Sequence, residues 1–291
     1  MLSTQLTPYF RLMRLPALFS AISNILAAHL IVTQGQVQWD ALLLLMLASC
    51  CFYTGGMVMN DYFDYEEDYR DRPSRPIPAG QISLRKAKVF GIILLAAGLL
   101  LAATVGTKQF AIALILLILI IAYDALLKNT FLGAPAMGAC RSANWLLGLS
   151  VVELSPLVWT LALPIFFYIS ALTLLSQVET TAKSKTHVYA CAFGMLLTTL
   201  VIMILNNIGV LPHSWALVLI GMGLVVILQH LQSILKDFTP TQVQGAVTIL
   251  LLGVVPLDTI LVLAAGPWWG GVIVISLWFL ARKFARRMAI T

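Results

Sequence analysis

Charge is scarce in this sequence. Only 10% of its 291 residues are charged, against 60% hydrophobic, and the mean hydropathy is +0.94. A soluble domain carries roughly 25% charged residues, so the composition excludes a soluble fold and indicates an integral membrane protein. Cysteine is equally sparse. Cys50, Cys51, Cys140 and Cys191 lie in apolar runs without zinc-ligand spacing, which excludes a disulfide framework and a structural zinc site. His29, His187, His213 and His230 are dispersed, and none is assigned a ligand role. His29, deep in the first apolar run, reads as a hydrogen-bonded packing residue. Alternation of apolar and polar residues is missing throughout, and with it the transmembrane β-barrel. Low-complexity segments and a separate soluble domain are also lacking. The net charge is +6, but the basic residues are scattered among loops. That argues against nucleic acid as a partner and for a basic face toward the lipid bilayer.

What the sequence does have is ten apolar runs, at 16–33, 41–59, 89–105, 110–126, 134–152, 157–175, 189–208, 215–235, 246–265 and 268–284. At about 20 residues per span they predict a single all-α domain over 1–291, a polytopic bundle of nine to ten transmembrane helices. A basic start before an apolar run also fits a secretory signal. Here the run after Arg11 and Arg14 is long for one and ends Ala-Ala-His, so it reads as a retained first span. With ten spans and the N-terminus inside, only Lys108 falls outside, Arg141 lies within a span, and every other Lys and Arg is inside. The basic tail Arg282, Lys283, Arg286 and Arg287 argues for an even count. Pro256 and Asp258 make 246–265 the least secure span.

One loop, NDYFDYEEDYRDRPSRPIPAG at residues 60–80, gathers much of the charge. Of 12 acidic residues, Asp61, Asp64, Glu66, Glu67, Asp68 and Asp71 all fall there. Two carboxylates ~4 Å apart repel by roughly 4 kcal/mol near a protein surface, so the cluster calls for cations. If 60–71 is helical, Asp61, Asp64 and Asp68 form one stripe, and Asn60, four residues before Asp64, borders it. Oxygen ligands on one face suit Mg²⁺, and Arg70, Arg72 and Arg75 follow with guanidinium forks that match phosphate. The combination reads as a metal–diphosphate cradle facing the cytoplasm. The bland alternative is a solvated, self-compensating charge cluster.

The string also resembles the first aspartate-rich motif, N-D-x-x-D-x-x-x-D, of the UbiA-type intramembrane prenyltransferases, and residues 75–80 resemble the R-P-I-P-x-G tail of many members. The resemblance implies Mg²⁺-dependent binding of a polyprenyl diphosphate and transfer of its prenyl group to a lipophilic acceptor, aromatic or otherwise. It implies a nine-helix fold of two pseudo-repeated halves, each with an acidic loop after its second span. In a bacterium it implies the plasma membrane. The second loop departs from the family: where a D-x-x-x-D-like motif belongs, Glu179 holds the first position and Lys183 the second. A carboxylate has been exchanged for a cation, with Lys183 left to contact diphosphate from the same helical face as Glu179.

On this reading Asn60, Asp61, Asp64, Asp68 and Glu179 hold Mg²⁺, while Arg14, Arg70, Arg72, Lys128, Arg141 and Lys183 bind substrate. Asp64, Asp68, Tyr123 and Asp124 carry catalysis, Tyr123 beside the allylic carbon and Asp124 orienting Lys128 or acting as a base. Arg75 and its prolines shape the loop. Arg141 lies about 10 Å into its span at ~1.5 Å per residue, where an ionisable group is costly and by default functional. The competing reading pairs it with Asp124 or Asp258. A transporter or non-catalytic isoprenoid-binding protein is the alternative class, but a transporter places polar groups at the midplane of both repeats. This chain concentrates them at one mouth.

Overall fold

The computed structural model describes residues 2–153 and 155–289, and among them every regular element is a helix. Arg286 and Arg287 of the basic tail lie outside the residues whose side chains are described. The chain runs from α1 (Leu2–Leu12) into α2 (Leu15–Thr33) and α3 (Trp39–Phe63), which passes through Asp64 into the short α4 (Tyr65–Asp71). After the 72–83 loop come α5 (Leu84–Val105) and α6 (Thr107–Ala122), the latter ending in a π-helical turn at Tyr123–Leu127. Then follow α7 (Gly133–Leu149) and α8 (Pro156–Trp159), the second leading through a 3₁₀ turn into α9 (Leu163–Ser176). The last five are α10 (Thr186–Asn207), α11 (Ala216–Lys236), α12 (Pro240–Leu252), α13 (Val254–Ala265) and α14 (Trp268–Ala289).

Each of the ten apolar runs is largely helical. Seven segments are long and apolar enough to cross a membrane by length and composition: Trp39–Phe63, Leu84–Val105, Thr107–Leu127, Pro156–Ser176, Thr186–Asn207, Ala216–Lys236 and Pro240–Ala265. A shorter apolar helix covers Ala17–Thr33. Large apolar side chains also face outward, among them Val218, Met222, Val225 and Val226 of α11. That is the surface of an integral, multi-pass membrane protein, whose outside is solvated by lipid.

Large side chains such as Trp145 and Phe52 fill the core, and small residues let the helices approach closely. A Cβ on Gly98 of α5 would stand 3.1 Å from the Ala48 carbonyl oxygen of α3, and one on Gly148 of α7 would stand 2.8 Å from the Ile25 carbonyl oxygen of α2. Backbones approach there because no side chain intervenes, the usual device where lipid removes the hydrophobic drive between helices.

The 246–265 run crosses as two helices broken at Gly253. Pro256 supplies no N–H to the preceding turn. Beside the break the Leu250 carbonyl accepts both the Gly253 N–H at 3.0 Å and the Tyr168 hydroxyl at 2.7 Å. At the far end of the bundle Gln34 Nε2 donates to the Ala265 carbonyl at 2.8 Å, and α14 then runs back along α2. Its basic end therefore returns to the face where α2 begins, which we call the mouth. His29 sits near the far end as a packing residue, its Nε2 accepting the Gln38 N–H at 3.2 Å.

Candidate active site

At the mouth the acid stripe forms with one interruption. Asp64 ends α3, donating its N–H to the Asn60 carbonyl at 2.9 Å, and Asp68 N–H returns to the Asp64 carbonyl at 2.8 Å, so the helical path continues. Asp61 and Asp68 are buried, at 4% and 2% exposure. Burying charge is costly unless it is paired, and each carboxylate is paired. Arg14 Nη2 meets Asp61 Oδ1 at 2.9 Å. Arg75 Nη1 bridges Asp61 Oδ1 at 3.3 Å and Asp68 Oδ2 at 2.5 Å. Arg72 lies 3.9 Å from Asp68 Oδ1, and Lys128 pairs with Asp64.

The backbone explains why these cations point inward. Arg14 links α1 to α2 in the left-handed region, at φ 48°, a conformation non-glycine residues adopt at a cost. The 72–83 loop is folded on its own carbonyls, Ala79 N–H to the Arg75 oxygen at 2.9 Å and Gln81 N–H to the Pro76 oxygen at 3.0 Å. Ile77 and Ile82 plug it into a small apolar cluster with Leu12, Val58 and Ala87. The π-helical turn closes with Lys128 N–H on the Tyr123 oxygen at 3.0 Å. Such turns cluster at functional sites, and this one brings Tyr123, Asp124 and Lys128 to one cavity.

That cavity is polar and about 580 Å³ in volume. Arg14, Arg72, Arg75 and Lys128 line it, with Asn60, Asp124, Glu67 and Glu179. The cations face the space, and the stripe carboxylates Asp61, Asp64 and Asp68 stand behind them. Among the described residues, no three acidic, histidine or cysteine side chains converge as a metal site. A second, mostly apolar pocket of about 80 Å³ continues inward and shares Met57, Tyr123, Asp124 and Met137 with the first. Arg141 and Asn144 line its inner part. Arg141 Nη2 donates to Ser20 Oγ at 3.1 Å and Nη1 to Asn24 Oδ1 at 3.5 Å, and the guanidinium lies 5.4 Å from the Tyr53 ring centroid.

Several placements depart from what the sequence implies. Arg75, one of the three arginines of the proposed cradle but assigned to shaping the loop rather than to the substrate, is the central cation of the cluster. Lys128 pairs with Asp64, while Asp124 accepts from Asn60 Nδ2 at 3.3 Å, so Asp124 does not orient Lys128. Arg141 makes no direct ion pair with Asp124 or Asp258 among the described residues; Asn24 and the Ser20–Ser23 pair stand between it and Asp258. Arg70 turns away, its Nε donating to the Glu66 carbonyl at 3.2 Å. Glu179 and Lys183 do not share a helical face. α9 ends at Ser176 and Ala182 takes φ 45°, so the chain between them is not helical. Lys183 is exposed and stands off the cavity wall, whereas Glu179 lines it.

Fold and site together define an intramembrane helical bundle built around a cation-lined, one-sided cavity. The chain belongs to the UbiA prenyltransferase family, whose model matches residues 21–186, more than half of its length. It is 36% identical over 149 residues to digeranylgeranylglyceryl phosphate synthase of Thermococcus gammatolerans, a match covering 51% of this chain and 52% of that one. It spans between 52% and 60% of the length of the curated relatives it first matches. Its fold is that of a solved structure of digeranylgeranylglyceryl phosphate synthase, with a TM-score of 0.69 at 22% identity over 90% of this chain and 99% of that chain. A UbiA homolog from Archaeoglobus fulgidus bound to GPP and Mg²⁺ superposes with a TM-score of 0.64 at 16% identity, over 92% of this chain and 99% of that chain.

Proposed function

We propose that this protein transfers a prenyl group from a polyprenyl diphosphate to a lipophilic acceptor within the membrane, with Mg²⁺. The observation that carries the reading is the cation-lined cavity at the mouth of an apolar bundle. Four basic side chains there face an open space instead of their buried carboxylates alone. Guanidinium forks match the oxygens of a diphosphate, and the apolar pocket beyond Tyr123 extends the space for an isoprenoid. Asn60, Asp124 and Glu179 put hard oxygens on the cavity wall, and Asp61, Asp64 and Asp68 would add theirs to hold Mg²⁺ once the donor draws Arg14, Arg75 and Lys128 away from them. When bound, Mg²⁺ offsets the charge that builds up on the leaving diphosphate.

The chain's own residues then act in order. Arg14, Arg75 and Lys128 exchange carboxylate partners for phosphate oxygens as the donor enters. Tyr123, on the wall between the two pockets, faces the allylic carbon as the C–O bond ionises, and the bundle keeps water from that cation. Asp124, buried and held by Asn60, takes the proton released by the acceptor. Arg141 closes the inner end. Arg70 and Lys183, both off the wall, draw the anionic donor to the entrance. Lys183→Ala therefore weakens geranyl diphosphate binding by less than about threefold, under 1 kcal/mol. A tenfold loss in the binding isotherm would return Lys183 to the cavity.

The relatives' name points to a prenylated glyceryl phosphate as the first acceptor to try, ahead of aromatic acceptors. The direct test is mass spectrometry of products from nanodisc-embedded protein given geranylgeranyl diphosphate, Mg²⁺ and each acceptor. Donor binding without any prenylated product would leave the isoprenoid-binding alternative instead.

We also place the mouth in the cytoplasm, since among the described residues Lys108 is the only lysine or arginine at the far end. Single cysteines at the exposed Ser74 and Ser214, with the four native cysteines replaced, should be labelled from opposite sides of intact cells. Labelling of both from one side would overturn the orientation.

A further inference from the structure

Helix α1 and the first turns of α5 enclose a crevice of about 710 Å³ at the mouth-side rim of the bundle, away from the cavity above. Its floor is apolar. Phe10 of α1 and Val89 and Ile93 of α5 stand 42%, 50% and 58% exposed, and Tyr9 meets Phe90 edge-on at 5.2 Å. Its rim is cationic. Arg85 and Lys86 line it beside Ser83, which caps α5 by accepting the Lys86 N–H. The first turn of α5 holds no acidic residue. Helix N-termini carry the positive end of the dipole and favour anions, yet this one carries Arg85 and Lys86. Neither has an ion-pair partner among the described residues. A cationic rim above an exposed apolar floor repeats the order of a phospholipid at the membrane interface, phosphate outside and acyl chain within.

We propose that this crevice binds the phosphate head and upper acyl chain of an anionic phospholipid from the mouth-side leaflet. The site has a route to the cavity. α1 is tied to the 72–83 loop by Leu12, buried among Ile77 and Ile82, and by Arg11 Nη2 donating to the Ser74 carbonyl at 3.3 Å. That loop carries Arg75, so a lipid wedged between α1 and α5 steadies the residue that bridges Asp61 and Asp68.

The test is thermal unfolding of the full chain in mild detergent, with phosphatidylglycerol, phosphatidylcholine or inorganic phosphate added at equal concentration. Phosphatidylglycerol should raise Tm by roughly 4 °C and the other two by less than about 1 °C. An Arg85→Gln/Lys86→Gln variant should lose most of the shift, while Lys236→Gln/Lys283→Gln, with the same change of charge, keeps it. Equal shifts from phosphatidylcholine or inorganic phosphate, or equal loss in both variants, would overturn the site. Should the first variant not fold, hydrogen exchange of the unaltered protein decides. Phosphatidylglycerol must slow exchange in α1 and the 72–83 loop relative to phosphatidylcholine, and unchanged exchange there refutes the proposal. None of these measurements depends on prenyl transfer.

Discussion

Asp68→Ala should lower Mg²⁺-dependent affinity for geranyl diphosphate on the order of 100-fold, about 2.7 kcal/mol. Asp68 is 2% exposed and holds Arg75 at 2.5 Å, with Arg72 beside it. Without its carboxylate, Arg75 is anchored by Asp61 alone and the oxygen donors at the mouth lose a member. Asp64→Ala should cost a similar amount, because Lys128 loses its partner. Arg75→Ala belongs with them, since it leaves Asp68 only the 3.9 Å contact with Arg72. Arg75→Lys should rescue little: one ammonium lacks the planar fork that spans two carboxylates. Glu66→Ala is the control, an exposed acid in the same helix with no ion pair among the described residues. Isothermal titration with and without Mg²⁺ separates the cases. Equal losses at Asp68 and Glu66 would mean that the loop contributes bulk charge and not a built site.

Much of the bundle was readable from hydropathy, because burial in lipid leaves helices as the spanning element. The ten apolar runs are all largely helical, and the stripe from Asp61 to Asp68 survives because helical spacing is local. The partners were harder to read. Arg14 reaches Asp61 across 47 residues of sequence only because its backbone turns left-handed between α1 and α2. Neither that turn nor the inward aim of Arg75 has a periodicity. Both follow from how Leu12, Ile77 and Ile82 pack. Lys183 shows the converse. A spacing of four residues suggests a shared face, but only if the helix continues, and here it has ended at Ser176.

Asp258 has the same history. In the sequence it is a liability, an acid that weakens the 246–265 run as a span. In the fold it is fully buried and accepts from Ser23 Oγ at 2.6 Å, Asn24 Nδ2 at 2.8 Å and Trp145 Nε1 at 3.0 Å, joining α2, α7 and α13. Asp258→Leu keeps the volume but strands the Asn24 and Trp145 donors, while the Ser23 hydroxyl keeps the Ser20 carbonyl at 3.1 Å. Net hydrogen bonds in membranes average about 0.6 kcal/mol, and an unsatisfied buried donor costs about 1–3 kcal/mol, so a loss of roughly 3 kcal/mol is expected. That corresponds to a fall in Tm of roughly 10 °C in detergent. Trp145→Phe takes the indole donor from Asp258 Oδ1 and leaves a gap where a fully buried ring stood, so it should cost a comparable amount. Asp258→Asn is the sharper variant. Its amide nitrogen would face the Asn24 amide nitrogen, and flipping Asn24 to accept would turn that nitrogen toward Arg141, which now donates to Asn24 Oδ1. Asp258→Asn should therefore destabilise the fold less than Asp258→Leu yet disturb Arg141, measured as a shifted Nε resonance in ¹⁵N-arginine-labelled protein and assigned by its absence in Arg141→Met. An unshifted Arg141 resonance, or a Tm for Asp258→Leu within about 2 °C of the parent, would reduce Asp258 to a tolerated polar residue.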